Sequence, residues 1–199
     1  MSESTVFKTI KRRYSIGKLT GQSPTREQIG RMLEAATHAP NHYRVEPWRF
    51  FVVAGKARNE LGAIMERALA KRTEEQAGNM ASGKVQALLE KERNKPLRAP
   101  VVIVVAAEHP RRPGILDIEN VAATAAAVEN MLLAAEEMGL ACMWRTGDAA
   151  YDPLVKQWLG LEPEDHIVAF VYTGYPAIPP IERHPTPVEE KTTWLGWPE

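Results

Sequence analysis

A single cysteine, Cys142, stands among 199 residues. No disulfide can form within the chain, which suits a reducing compartment and makes the cytoplasm the expected location. An excess of either charge is also missing. Lys plus Arg and Asp plus Glu number 25 each, so the net basic footprint of a nucleic-acid-binding protein is absent. No apolar run approaches the roughly 20 residues a membrane-spanning helix needs. The longest apolar-rich stretch, 121–135, is interrupted by Thr124, Glu129 and Asn130. Residues 1–13 hold no apolar core of signal-peptide length. Gly-rich fingerprints of the Rossmann or phosphate-loop type are lacking, and so is a Gly-x-Ser-x-Gly elbow. Cys142 sits inside an apolar run and reads as inert core. With no evident nucleophile or acid–base pair, no residue is singled out as catalytic. Any enzymatic chemistry is expected to come from a bound cofactor.

What is present reads as mixed helix and strand, with no internal repeat and no boundary between two cores. Residues 4–13 read as a short helix ending in Lys11, Arg12 and Arg13. Thr25 and Gln28 have capping-box spacing, and Ile29, Met32, Leu33 and Ala36 follow at helical intervals before Pro40. Residues 48–53 are aromatic and β-branched, which predicts a strand. A helix over 58–72 would place Leu61, Ile64, Met65 and Leu69 on one side. Residues 74–95 are charged and broken by Gly78 and Gly83, as in a mobile helical excursion or lid. The near-continuous apolar run 101–107 fits a central strand buried on both faces. Residues 117–139 are apolar almost all round, which predicts a helix buried on nearly every side. Strands over 140–144 and 166–172, a helix over 152–159, and an extended tail held by Trp194, Leu195 and Trp197 complete the reading. The fold class is α+β, with the central helix packing partly against a second subunit.

Three clusters could carry chemistry. Arg12, Arg13, Tyr14 and Ser15 lie where the first helix gives way to a loop. Guanidinium forks beside a hydroxyl suit a phosphate, although the same cations serve equally as a solvated C-terminal cap. The second cluster runs from His38 through Pro40, Asn41, His42 and Tyr43 to Trp48. It is either an ordinary capping loop or a set of donors around a flat ligand. A metal at its two histidines is disfavoured, since no Cys or acidic residue completes a ligand set with familiar spacing. In the third cluster a strand ends in Trp144, Arg145, Thr146 and Gly147. Strand ends present ligands in open sheets, but Trp144 could be core packing and Arg145 its surface neighbour.

Taken in order, these motifs resemble the nitroreductase family of flavoproteins. The resemblance rests on the basic-Ser motif, Glu-Ala-Ala-Thr-His-Ala-Pro, Glu-Pro-Trp-Arg-Phe-Phe-Val-Val and Gly-Leu-Ala-Cys-Met-Trp-Arg-Thr-Gly, with the later Tyr-Thr-Gly-Tyr-Pro. It spans about residues 5–176 and is nearest to the small branch whose third motif ends Trp-Arg-Ser/Thr. It implies a nitroreductase-like fold, with a central, mostly antiparallel sheet flanked by helices in an intertwined homodimer. Residues 1–199 would form one FMN-binding domain, with about 177–199 as an extended arm. It also implies FMN as cofactor, with NADH or NADPH as co-substrate. Reduction of nitroaromatics, quinones or related small acceptors would follow by ping-pong hydride transfer, with no nucleic-acid or membrane partner. Arg13, Tyr14, Ser15, Trp144, Arg145 and Thr146 would bind the cofactor, and His38 and His42 would line the site from the other subunit. Arg13 and Arg145 would supply its positive charge, with Arg12 taking over if the register slips by one. Residues 134–139 would abut the nicotinamide. Two departures stand out: Gly17 occupies a place where many members have a basic residue, and only Arg183 and Lys191 are available to hold the phosphate from the arm. A flavin-binding or storage protein with little turnover is the rival from another class, and a flavin-free helical scaffold is a second.

Overall fold

A computed structural model describes residues 4–76 and 82–198. Its frame is a four-stranded sheet in the order β1-β2-β4-β3, antiparallel throughout. The strands are β1 (Trp48–Ala54), β2 (Val101–Ala107), β3 (Ala141–Arg145) and β4 (His166–Gly174). The helices are α1 (Thr5–Arg12), α2 (Arg26–Thr37), α3 (Ala57–Gln76), α4 (Ser82–Arg93), α5 (Asp117–Glu137) and α6 (Pro153–Trp158).

The apolar run of β2 explains the layering. All seven of its residues are buried, and strand alternation sends them to two separate cores. Val101, Ile103 and Val105 join Met32 of α2 and Val128 and Met131 of α5. Val102, Val104 and Ala106 join Leu61 and Met65 of α3 and Val155 of α6. The sheet is thus covered by helices on both faces.

Local signals behave as their chemistry dictates. Thr25 Oγ1 accepts from the Gln28 amide at 3.1 Å, and Gln28 Oε1 accepts from the Thr25 amide at 2.9 Å. Asp152 caps α6 by accepting from the Leu154 amide at 2.9 Å. Its carboxylate also faces Arg72 of α3 at 3.6 Å.

Two expectations need correcting, for the tail and for residues 74–95. Along α5, Ala123, Ala127, Met131 and Ala135 are buried by this chain, Ala125, Ala126 and Leu133 are partly covered, and Ile118 and Ala122 are exposed. The tail is extended, but Trp194, Leu195 and Trp197 are 69%, 89% and 72% exposed. The two tryptophan rings meet each other at 5.6 Å rather than a surface of their own chain. Finally, within the 74–95 stretch residues 74–76 end α3 and α4 packs along α3, so the helical excursion is docked rather than free-standing. The contact is close because Gly62 has no side chain: a Cβ there would collide with the Arg93 carbonyl oxygen. Gly83 lies within α4, and Gly78 falls outside the described residues.

Candidate functional site

The chain leaving α1 supplies the first part of the site. Arg13 is the C-cap of α1, and Ser15 then forms a parallel bridge to Cys142. The Ile16 amide donates to the Cys142 carbonyl at 3.1 Å. This segment therefore lies along the free edge of β3 and puts the basic motif beside the strand end of the third cluster. Arg12 and Arg13 point differently. Arg12 is largely exposed, with its Nε 3.4 Å from Glu136. Arg13 is turned inward, with its Nε 3.2 Å from Glu129 on α5. That nitrogen is buried yet makes no hydrogen bond of good geometry. Of the two arginines, Arg13 is the one with unused donor capacity facing the interior. Tyr14 is half-buried, and Ser15 is exposed.

The second cluster occupies a loop under backbone strain. Tyr43, Arg44 and Glu46 have φ of 49°, 53° and 48°, a region that residues with a Cβ rarely adopt. Such strain costs on the order of 1–3 kcal/mol per residue, so the surroundings must hold the loop. Asn41 does part of this, since its Oδ1 accepts from the Glu46 amide at 2.9 Å. The sequence offers no signal for this conformation, because none of the three residues is Gly. His42 Nε2 lies 3.9 Å from Glu119 in the first turn of α5. His38 lies at the other end of that helix, in a cleft with Ala134, Glu137 and Met138.

Alternation along β3 divides the third cluster. Trp144 faces the α5 core and donates its indole N–H to the Val168 carbonyl at 3.0 Å. Met143 faces the α3 core. The Arg145 side chain is on Met143's side, with Nε 2.8 Å from its sulfur, in a hollow with Glu92, Lys95 and Tyr172. Arg145 and Arg13 are therefore on opposite faces of the sheet. Thr146 is exposed at the strand end, before Gly147 at φ 83°. The structure puts Arg13 and Ser15 on a segment that runs along β3, the strand that carries Trp144. It leaves His42 far from them: Glu119 and Glu129 are ten residues apart on α5, or about 15 Å along its axis.

The family model described as "Nitroreductase family" matches residues 10–175. The chain belongs to the nitroreductase family. Among curated relatives, a candidate NAD(P)H nitroreductase of Escherichia coli K12, YdjA, is 32% identical over 166 residues, covering 83% of this chain and 85% of that one. A candidate NAD(P)H nitroreductase of Bacillus subtilis, YfhC, is 31% identical over 92% of this chain and 91% of its own. The crystal structure of a nitroreductase-like family protein from Bacillus cereus superposes with a TM-score of 0.83 at 27% identity, covering 99% of both chains. A candidate nitroreductase from Desulfovibrio desulfuricans, solved in complex with FMN, shares the fold at TM-score 0.73 and 24% identity over 99% of this chain and all of that one.

For a nitroreductase-family chain, the two departures at Gly17 and in the arm now have a structural setting. A Cβ on Gly17 would lie 2.7 Å from the Met143 methyl carbon, a contact that the flexible end of Met143 could relieve, so a side chain at this position is not excluded. Arg183 lines a groove of about 630 Å³ between α1 and the arm, together with Lys11, Arg12 and Ile181. Lys191 sits in a short turn of the exposed arm.

Proposed function

We propose that the chain is an NAD(P)H-dependent FMN oxidoreductase that works as a homodimer, reducing nitroaromatics, quinones or related acceptors in alternating half-reactions. The observation that carries this is Arg13: a largely buried guanidinium whose Nε faces Glu129 without a hydrogen bond of good geometry, beside a strand edge and under a helix whose other face its own chain covers only in part. That donor set fits a flat, anionic ring system carrying a phosphate. FMN, when bound, supplies the hydride-accepting and hydride-donating chemistry.

In this reading residues 1–199 form one cofactor-binding unit, with 177–199 as an arm reaching over a second copy. Arg13 holds positive charge where the ring or its phosphate lies, in a partly water-excluded setting that strengthens the interaction. Tyr14 and Ser15 supply further polar groups beside it. Trp144, fixed by its bond to Val168, walls the site, and Arg145 and Thr146 contribute main-chain groups at the strand end. Because the Arg145 side chain is on the α3 face, its role toward the ring is through its backbone. His38 and His42 line the site of the partner, which accounts for the distance of His42 from Arg13 within one chain. A second copy also covers the open side of α5 and gives the arm's tryptophans a surface to meet. Reliance on a nicotinamide co-substrate supports a cytoplasmic location.

The test is anaerobic addition of NADH or NADPH to FMN-loaded protein. Bleaching of the yellow absorbance, reversed by a nitroaromatic or quinone, is expected. Persistence of the colour with both nucleotides refutes the enzymatic reading and leaves a flavin store. Arg13→Ala should lower FMN retention at least about tenfold, the loss expected of a charge-assisted contact. Full occupancy in that variant removes Arg13 from the site.

A further inference from the structure

Outside the cofactor region, one cluster of metal-ligating side chains has no part in the function proposed above. His109, Asp117 and His166 come from three elements: the loop after β2, the first residue of α5, and the first residue of β4. His109 Nδ1 lies 3.0 Å from Asp117 Oδ1, and His166 Nε2 lies 2.7 Å from Asp117 Oδ2. The potential ligand atoms all lie within 4.8 Å of one another. Donors bound tetrahedrally at about 2.0–2.1 Å from one ion stand roughly 3.3 Å apart, so small side-chain adjustments suffice.

The arrangement is held from behind. Asp165, 1% exposed, accepts from the His109 amide at 2.9 Å through one oxygen and from the Glu162 amide at 3.0 Å through the other. One carboxylate, on the residue before His166, thus holds the backbone of His109 and of Glu162. An irregularity between Val105 and Ala106 sets Ala107 opposite His166, which brings the two histidines to the same end of the sheet. Asn120 Nδ2 donates to the Glu108 carbonyl at 2.8 Å, tying the first turn of α5 to the residue before His109. Arg111 faces Glu108 rather than Asp117, at 3.9 Å.

We propose that His109, Asp117 and His166 bind a divalent transition-metal cation of the zinc type, clamping the start of α5 to the adjoining ends of β2 and β4. Two imidazoles and one carboxylate are a borderline donor set that suits Zn²⁺, Co²⁺ or Ni²⁺ over Mg²⁺ or Ca²⁺. All three side chains are between 37% and 49% exposed, so water completes the coordination and the ion is exchangeable. The ion would brace the helix turn that carries Glu119, the partner of His42.

The experiment uses the full chain without a polyhistidine tag, titrated with Zn²⁺ by calorimetry and with Co²⁺ by visible absorbance. One ion per chain is expected, with the melting temperature of the wild type rising on Zn²⁺ addition. His109→Gln and His166→Gln should each weaken binding at least about tenfold, as loss of a ligand requires. Should a variant fail to fold, ring NMR signals of the wild type decide the matter, because two of the five histidines should shift on Zn²⁺ addition. No saturable binding at millimolar Zn²⁺, binding unchanged in both variants, or shifts confined to other histidines overturns the proposal. None of these readouts depends on flavin, so its failure is distinct from failure of the FMN reading.

Discussion

Cys142 gives the sharpest check on the strand edge that carries the site. It is buried between α5 and the sheet, and that burial pushes its thiol up from 9.0 to about 12, with the Thr173 hydroxyl contact working the other way. At pH 8 a thiol at 9.0 is about one-tenth ionised, whereas one at about 12 is ionised to about one part in ten thousand. Only the thiolate attacks iodoacetamide, so ionisation alone should slow labelling of the native protein about 1,000-fold relative to the urea-unfolded chain. Steric burial adds to that factor. Quenched labelling followed by intact mass spectrometry reads both rates, with far-UV circular dichroism confirming that the native sample is folded. Native labelling within tenfold of the unfolded rate would refute the reasoning. It would mean that α5 does not seal Cys142 against the sheet. The sign of the pH dependence follows from the same shift. A thiol whose folded value is raised holds its proton more tightly in the native state. Its contribution is fully present below pH 9 and is lost as pH rises toward 12, by about 4 kcal/mol at most. Tyr172, also raised by burial to about 12 from 10.0 and partly offset by Arg145, acts in the same direction from pH 10 upward.

Two further perturbations test the packing and the strained loop. Gly62→Ala forces a methyl group against the Arg93 carbonyl; overpacking of this kind costs about 1–3 kcal/mol, a fall in Tm of roughly 2–12 °C for a chain of this length. An unchanged melt would show that α4 is not seated there. Asn41→Ala removes the acceptor for the Glu46 amide, a hydrogen bond with a net value of about 1 kcal/mol. Hydrogen exchange at residues 42–46 should accelerate while Tm drops by no more than about 4 °C, and unchanged exchange in the loop would show that Asn41 does not hold it.

The fold was legible where local chemistry and burial agree. The Thr25–Gln28 box was readable because both partners lie within one helical turn and depend on nothing else. β2 was readable because a strand covered on both faces needs apolar residues at every position. Limits appeared where the deciding contact is remote in sequence. Gly62 and Arg93 are neighbours across the α3–α4 contact, but a glycine in a charged helix resembles a simple weak point. Residues 74–95 therefore read as an excursion when α4 is in fact docked. Similarly, the composition of α5 says that it needs cover on most sides but not which molecule supplies it.

The candidate site shows the same division more sharply. Arg13 and Trp144 could be named as candidates only through the family resemblance, since a cation after a helix and an aromatic at a strand end serve equally as a cap and as core packing. Their faces could not. The strand's alternation was readable in principle, but fixing which of Trp144 and Arg145 turns toward α5 requires the register of β3 against β4, Trp144 opposite Val171. That register rests on backbone pairing, and no side-chain pattern over five residues encodes it uniquely. The left-handed Tyr43, Arg44 and Glu46 were hidden for a related reason. Their conformation opposes their intrinsic preference and persists only because the tertiary surroundings hold it. His109, Asp117 and His166 are the extreme case: separations of 8 and 49 residues match no ligand spacing, yet a sheet end and a helix start bring them within 4.8 Å. Chemistry assembled by topology in this way becomes visible only once the chain is folded.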